Sequence, residues 1–220
     1  SAFLPACFQG TPIGGQGGSS LPNLYNRELT SRQQRKQLDL VQKMNRELRE
    51  RSGVNDELDG VIESFELAFR MQRAVPEVMD LGTETAATRT LYGIDNKTTA
   101  VYGRRLLAAR RLAERGVRFI QLYHRGWDMH GGGKEFRIDD GLATLLPAVD
   151  KAVSAFIEDI RQRGLTEKVL LVITGEFGRT PKINSKGGRD HWGRLCTLAL
   201  AGGGLKMGQR IIGVKEITSR

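Results

Sequence analysis

Apolar side chains in the first part of the chain recur every three or four positions, the spacing of one face of a helix. Between residues 31 and 51 they are interspersed with charged groups and predict an amphipathic helix that Thr30 or Ser31 can cap. A second stripe predicts a helix over residues 56–72. Pro76 is expected to interrupt this stripe because proline lacks the amide hydrogen that a helix interior needs.

The rest of the chain alternates between helical and strand-like patterns. The predicted order is a helix from about Thr98 to Gly116, a strand at 117–123, a helical region at 135–163 that kinks or restarts at Pro147, strands at 168–174 and 195–201, and a short strand at 209–212. Short connections between such elements favour parallel strands joined by crossover helices. We therefore expect an α/β fold with its core in residues 99–220, and a loop and helical segment of the same domain in residues 1–98.

Charge is distributed unevenly between these two parts. Residues 1–98 hold 12 Lys and Arg against 13 Asp and Glu, whereas residues 99–220 hold 22 against 12. A basic half suits anionic ligands such as phosphate or sulfate esters, although a solvated basic surface or contacts between subunits would have the same composition. Nucleic acid is disfavoured as a partner because the bases are scattered among few aromatics. No apolar run reaches the roughly 20 residues of a membrane span.

Ionisable side chains follow two of the predicted strands, where an open α/β sheet places its ligands. The two loops run from 124 to 130 and from 174 to 192, and they contain all three histidines and both tryptophans of the chain. Carboxylate and imidazole groups together suit zinc, manganese or calcium, as one ion or as a pair. The candidate metal ligands are Asp128, His130, Glu176, Asp190 and His191.

Two arginines in the second loop could bind the oxygens of an anionic ester. Arg179 and Arg189 have this role in the prediction because a guanidinium binds such oxygens through two hydrogen bonds at once. Structural alternatives remain open for each candidate. Asp128 and His130 can form a surface hydrogen-bonded pair, Asp190 and His191 can brace a turn, and Glu176 can cap a helix or pair with Arg179.

Several segments resemble a bacterial sulfatase-like family called domain of unknown function 1501. The segments are Gly126-Trp127-Asp128-Met129-His130, Gly175-Glu176-Phe177-Gly178-Arg179-Thr180-Pro181, Gly188-Arg189-Asp190-His191-Trp192 and Ala201-Gly202-Gly203-Gly204. The family is placed with the alkaline phosphatases and arylsulfatases. The resemblance implies a mostly parallel, alkaline-phosphatase-like sheet flanked by helices and one or two divalent metals. It also implies that the chain is the carboxyl-terminal part of a longer, periplasmic or exported protein, so that its sheet is incomplete.

The resemblance also assigns roles to the candidate residues. Asp128, His130 and His191 look like the ligands of one metal, and Glu176 and Asp190 look like candidates for a second. Superfamily phosphatases place Asp-His where this chain has Glu176-Phe177, and their nucleophile would precede this chain. The implied function is metal-dependent hydrolysis of sulfate or phosphate esters, with sulfated polysaccharide as one substrate class. The alternatives are a non-catalytic protein that binds sulfated glycans or other anions, and a phosphomutase-like transferase. The oligomeric state is left undefined.

Overall fold

A computed structural model describes residues 10, 13, 28–53, 56–132 and 136–206. The chain divides into two compact units, Ser1–Asp80 and Leu81–Arg220. The boundary between 98 and 99 that the sequence suggested stays a prediction. The predicted strand at 209–212 and nearly all of the N-terminal loop lie outside the described residues.

The first unit contains two long helices, α1 (Ser31–Ser52) and α2 (Asp56–Met79). Thr30 caps α1 in a capping box: its hydroxyl accepts from the Gln33 amide, and the Gln33 side chain accepts from the Thr30 amide at 2.9 Å. The predicted helix and its cap are therefore confirmed. Arg35 on α1 forms an ion pair with Glu66 on α2, with 2.8 Å between nitrogen and oxygen.

The helix α2 extends beyond the end that the sequence predicted. Pro76 lies inside it rather than at its boundary. A proline removes one helical hydrogen bond because it has no amide hydrogen. The helix nevertheless continues past Pro76, whose carbonyl accepts from the Asp80 amide at 3.0 Å. The prediction that the pattern breaks at Pro76 was wrong because the loss of one bond does not end a helix that other contacts support.

Three helices form the core of the second unit. After a single 3₁₀ turn at Leu81–Thr83, the chain forms α3 (Ala86–Tyr92), α4 (Ala100–Glu114) and α5 (Ile138–Gln162). The buried cluster that joins them consists of Tyr92, Ile94, Leu106, Leu107, Ala109, Ala152, Ala155, Phe156 and Ile160. Gly103 allows close contact between α3 and α4, because a Cβ at this position would lie 2.2 Å from the Tyr92 carbonyl oxygen. Helix α5 is continuous through Pro147.

A buried arginine links these helices through charge. Arg110 on α4 is only 2% exposed. Its guanidinium lies 2.7 Å from Glu84, 2.6 Å from Glu114 and 2.9 Å from Asp159 on α5. The Tyr92 hydroxyl donates to the same Asp159 carboxylate at 3.0 Å. Each buried charge therefore has a partner, as burial in a low-dielectric interior requires.

The strands of the described residues form two small antiparallel sheets. Strand β1 (Leu170–Thr174) pairs with β4 (Leu198–Gly202), and β2 (Gly178–Arg179) pairs with β3 (His191–Trp192). The two predicted strands at 168–174 and 195–201 are thus present with shifted ends, but their parallel arrangement was wrong. The connection between them contains no helix, and a chain that returns without a crossover helix pairs antiparallel.

The predicted strand at 117–123 does not form in the structure. Its side chains still alternate: Phe119 and Gln121 are exposed, whereas Ile120 and Leu122 pack against the core. Within the described residues no neighbouring segment pairs with its backbone, so the alternating pattern produces an extended segment rather than a strand.

These findings overturn the predicted fold class. The described chain is mostly helical with two antiparallel two-stranded sheets, instead of a mostly parallel, alkaline-phosphatase-like α/β sheet. The alternating pattern identifies helices and strands but does not show which strands pair. The crossover topology predicted from it was therefore wrong. None of the helices described combines the length and apolar character needed to cross a membrane.

Candidate metal centre

Asp128 and His130 face the same cluster from the irregular segment that precedes α5, in which the Met129 amide donates to the Trp127 carbonyl at 3.0 Å. The residue between them, Met129, is 5% exposed and points to the opposite side. There it contacts α5 so closely that a Cβ at Gly141 would lie 2.7 Å from the Met129 sulfur. The buried methionine therefore fixes the direction of both polar neighbours, as the two-residue spacing predicted.

The second half of the site is the loop between β1 and β4, which carries the β2–β3 hairpin. Arg179 on β2 is paired with His191 on β3. The loop is held against the segment at 124–132, called the first segment below, by a backbone hydrogen bond from the Arg189 amide to the Met129 carbonyl at 2.8 Å. At Gly188 the backbones approach so closely that a Cβ would lie 2.0 Å from the His130 carbonyl carbon. The glycine therefore allows His191 to reach the first segment.

Three potential metal ligands converge where these segments meet. Oδ1 of Asp128 lies 2.9 Å from Nε2 of His130 and 3.0 Å from Nε2 of His191, and the two imidazole nitrogens are 2.9 Å apart. Within the described residues this is the one group of three or more such ligands, and its atoms lie within 4.8 Å of one another. The structure thus brings together three of the five candidate metal ligands.

The donor set of these three residues fits a divalent metal. Two ligands that each lie about 2.1 Å from one ion are about 3.0 Å apart at octahedral angles and about 3.4 Å apart at tetrahedral angles. The observed spacings of 2.9 to 3.0 Å equal the octahedral value and are shorter than the tetrahedral one on all three edges. Three lone-pair atoms this close together need a shared proton or a cation to offset their repulsion. The residues present are therefore suited to hold one ion.

Arg179 supplies positive charge to the same group. Its Nη2 lies 2.7 Å from Oδ1 of Asp128, and its Nη1 lies 3.3 Å from Nε2 of His130. The hydrogen bond with His191, and then the one from Arg179, lower the pKa of Asp128 to about 2. Asp128 is therefore ionised at neutral pH, which is the state in which a carboxylate binds a metal.

Asp190 faces the other nitrogen of His130. Its Oδ1 lies 3.4 Å from Nδ1 of His130 and accepts from the Asn184 side-chain amide at 3.0 Å. Both contacts lower the pKa of Asp190 below its ordinary value, and the hydrogen bond from Asn184 has the larger effect. Asp190 therefore lies behind a ligand of the cluster rather than among the three ligands.

The remaining candidates lie outside the three-ligand group. Glu176 is exposed on the turn after β1. Arg189 is half-buried, and the contact it makes with the first segment is through its backbone amide. His124 lies apart from the other two histidines, where its Nδ1 accepts from the Trp127 indole at 2.8 Å. Burial, and then the charge of Arg105, lower the pKa of His124.

An open cleft of about 360 Å³ borders the cluster on the Asp190 side. Its lining consists of His130, Asn184, Ser185, Lys186 and Asp190. Phe177 closes another side of the site, with its ring centroid 4.3 Å from that of His191. The cluster is thus accessible to a ligand and is walled by an aromatic ring.

Sequence reasoning missed Asn184. Its side-chain amide donates to the His130 carbonyl and to Asp190, both at 3.0 Å. The available signal was the turn-forming composition of Asn184-Ser185-Lys186-Gly187-Gly188, which marks asparagine as a residue that binds nearby backbone amides. That signal predicts a turn, and it gives no indication that the turn touches His130.

Fold and site together define a mostly helical protein with an Asp/His cluster between two loops. The chain belongs to the family described as "Protein of unknown function (DUF1501)", whose model matches residues 1–217. Membership of domain of unknown function 1501, which the motifs predicted, is therefore confirmed, whereas the placement of this family with sulfatases and phosphatases stays a prediction. Neither the comparison with curated proteins nor the comparison with solved structures found a match to this chain.

Proposed function

We propose that this chain is the metal-binding part of a hydrolase that acts on phosphate or sulfate esters. The observation that carries the proposal is the convergence of Asp128, His130 and His191 at 2.9 to 3.0 Å with a guanidinium beside them. The placement of the family with alkaline phosphatases and arylsulfatases belongs to this proposal. Zinc, manganese and calcium are the candidate ions, and a second ion would need Glu176 or Asp190.

The residues of the cluster have two tasks in this proposal. Asp128, His130 and His191 would hold the ion, which would supply Lewis-acid chemistry by lowering the pKa of a hydroxyl group and polarising the ester oxygens. Arg179 lies next to the same ligands and would bind the non-bridging oxygens of the ester, where it stabilises charge that develops in the transition state. Residues 99–220 have an excess of ten positive charges, which favours the approach of an anionic substrate.

The proposal is tested with the full-length protein. We expect about one equivalent of bound divalent metal or more, and hydrolysis of nitrophenyl phosphate or nitrophenyl sulfate. Both properties should be lost in Asp128→Asn and in His191→Ala. Asp150→Asn is the matched control because Asp150 is an exposed carboxylate on α5, outside the three-ligand cluster. Absence of both metal and turnover in the wild-type protein would overturn the proposal.

The same experiment separates the non-catalytic alternative. Arg179 and the basic half of the chain also suit a protein that binds sulfated polysaccharide without cleaving it. Binding of the polysaccharide that persists in Asp128→Asn, without turnover of either ester, would favour this second function. Interconversion of phosphorylated sugars instead of ester hydrolysis would favour the transferase.

A further inference from the structure

Asn184 contacts both segments that form the cluster. Its Nδ2 donates to the carbonyl of His130 and to Oδ1 of Asp190, both at 3.0 Å. Its Oδ1 accepts from the backbone amides of Lys186 and Gly188, also at 3.0 Å. One side chain therefore shapes the turn with its oxygen and reaches the site with its nitrogen.

The contact with Asp190 bears on the imidazole of His130. Asp190 Oδ1 lies 3.4 Å from Nδ1 of His130, while Nε2 of the same ring faces Asp128 and His191. A carboxylate at Nδ1 favours the tautomer with the proton on Nδ1, and this leaves the lone pair of Nε2 free for a metal. The direction of the Asp190 carboxylate therefore determines which nitrogen of His130 can act as a ligand.

We propose that Asn184 is a positioning residue that holds Asp190 and the His130 backbone so that His130 presents its Nε2 lone pair to the cluster. This role rests on the proposed function in so far as it concerns metal binding. The fixed tautomer itself does not depend on that function. Asn184 thereby couples the docking of the 184–190 loop to the orientation of a ligand in the other segment.

The substitution Asn184→Asp separates the two roles of this side chain. A carboxylate retains the oxygen that accepts from Lys186 and Gly188, so the turn is preserved. It has no hydrogen to donate to His130 or Asp190, and it adds a negative charge next to Asp190. A residue needed only for the turn would tolerate this change, whereas a positioning residue would not.

We expect Asn184→Asp to weaken zinc binding by about 10- to 100-fold, the usual effect of losing an outer partner of a metal-bound histidine. Titration of full-length, metal-free protein with zinc measures this change. Asn96→Asp is the matched control because Asn96 is an exposed asparagine outside the cluster and its cleft, and its side-chain oxygen likewise accepts from a backbone amide, that of Thr98. Asp190→Asn should have a similar effect, and the double variant should bind zinc no more weakly than the weaker single variant, since both act through His130.

Nitrogen-15 NMR of the imidazoles in metal-free protein provides an independent measurement. Wild type should show His130 with its proton on Nδ1, and Asn184→Asp should show a mixture of tautomers. Wild-type zinc affinity and tautomer in Asn184→Asp would overturn the proposal, as would failure of both the 184 and 190 variants to fold. If the wild type binds no metal and hydrolyses neither ester, but the tautomer shifts in Asn184→Asp, the proposed function fails and the positioning role stands.

Discussion

The guanidinium of Arg179 lies where it would compete with a metal ion for Asp128. Its guanidinium is 2.7 Å from Oδ1 of Asp128, the same oxygen that faces both histidines. One carboxylate oxygen cannot bind a guanidinium and a divalent ion equally well, because the two cations repel each other. The arginine is therefore expected to turn from Asp128 toward an anionic ligand when a metal is bound.

The substitution Arg179→Gln should consequently shift two affinities in opposite directions. Zinc binding should tighten because the competing cation is removed. Binding of inorganic phosphate to the zinc-loaded protein should weaken about 10-fold because a charge-assisted hydrogen bond is lost. Calorimetric titration measures both affinities. Arg194→Gln is the control because Arg194 is an exposed arginine in the same loop. Equal effects of the two variants would show that Arg179 acts only through its contribution to the net charge of the loop.

Glu84 makes stability depend on pH at a different place in the second unit. Burial works against its charge, but hydrogen bonds from Arg110 and Arg111 outweigh burial and lower its pKa. A carboxyl group whose pKa is lower in the folded state adds stability above its unfolded pKa, and this contribution is lost as the pH falls through the folded pKa. The contribution of Glu84 is therefore present at neutral pH and disappears in acid.

We expect Glu84→Gln to unfold at lower urea concentration than wild type at pH 7. The two unfolding free energies should converge as the pH decreases toward the folded pKa of Glu84, because a protonated glutamate resembles glutamine. Urea titrations across this pH range provide the measurement. A difference between the two proteins that stays constant at all pH values would show that the charge of Glu84 has no part in stability.

At the scale of elements, the site depends on how closely the β2–β3 hairpin docks on the segment before α5. Gly188 has no room for a side chain against His130, whereas Gly193 faces open space. Overpacking typically costs about 1–3 kcal/mol. Gly188→Ala should therefore separate His191 from His130 and weaken zinc binding by about 10-fold or more. Gly193→Ala should leave zinc affinity unchanged, and equal losses in both variants would contradict this account.

The helices α4 and α5 depend on the buried charges of Arg110 and its partners. Removal of Arg110 takes one cation from each of two buried carboxylates, although Glu84 keeps Arg111 and Asp159 keeps the Tyr92 hydroxyl. Leaving a buried charge with no partner typically costs about 3–5 kcal/mol. Because partners remain, we expect Arg110→Met to decrease the free energy of unfolding by no more than this amount in a denaturant titration. Arg161→Met removes an exposed ion pair with Glu158 on the same helix α5, and a loss of similar size there would contradict the argument.

At the scale of the whole molecule, the sequence predicted local structure better than long-range pairing. The helical stripes in α1, α4 and α5 and the direction shared by Asp128 and His130 follow from periodicity within a few residues, and the structure contains them. The antiparallel pairing of β1 with β4, and the absence of a strand at 117–123, depend on which segments meet. The periodicity of apolar residues carries no information about such long-range contacts between segments. Asn184 was missed for the same reason.

The ligands of the cluster are distant in sequence, and this has a consequence for the stability of the second unit. Asp128 and His191 are 63 residues apart, so an ion held by both links two segments that separate on unfolding. A ligand that binds the folded state alone stabilises it by about 2.7 kcal/mol at 100 times its dissociation constant. Zinc should therefore raise the melting temperature, and a chelator should reverse the change. Asp128→Asn should abolish the zinc-dependent shift and Asp150→Asn should retain it. An equal shift in both variants would show that zinc stabilises the protein elsewhere.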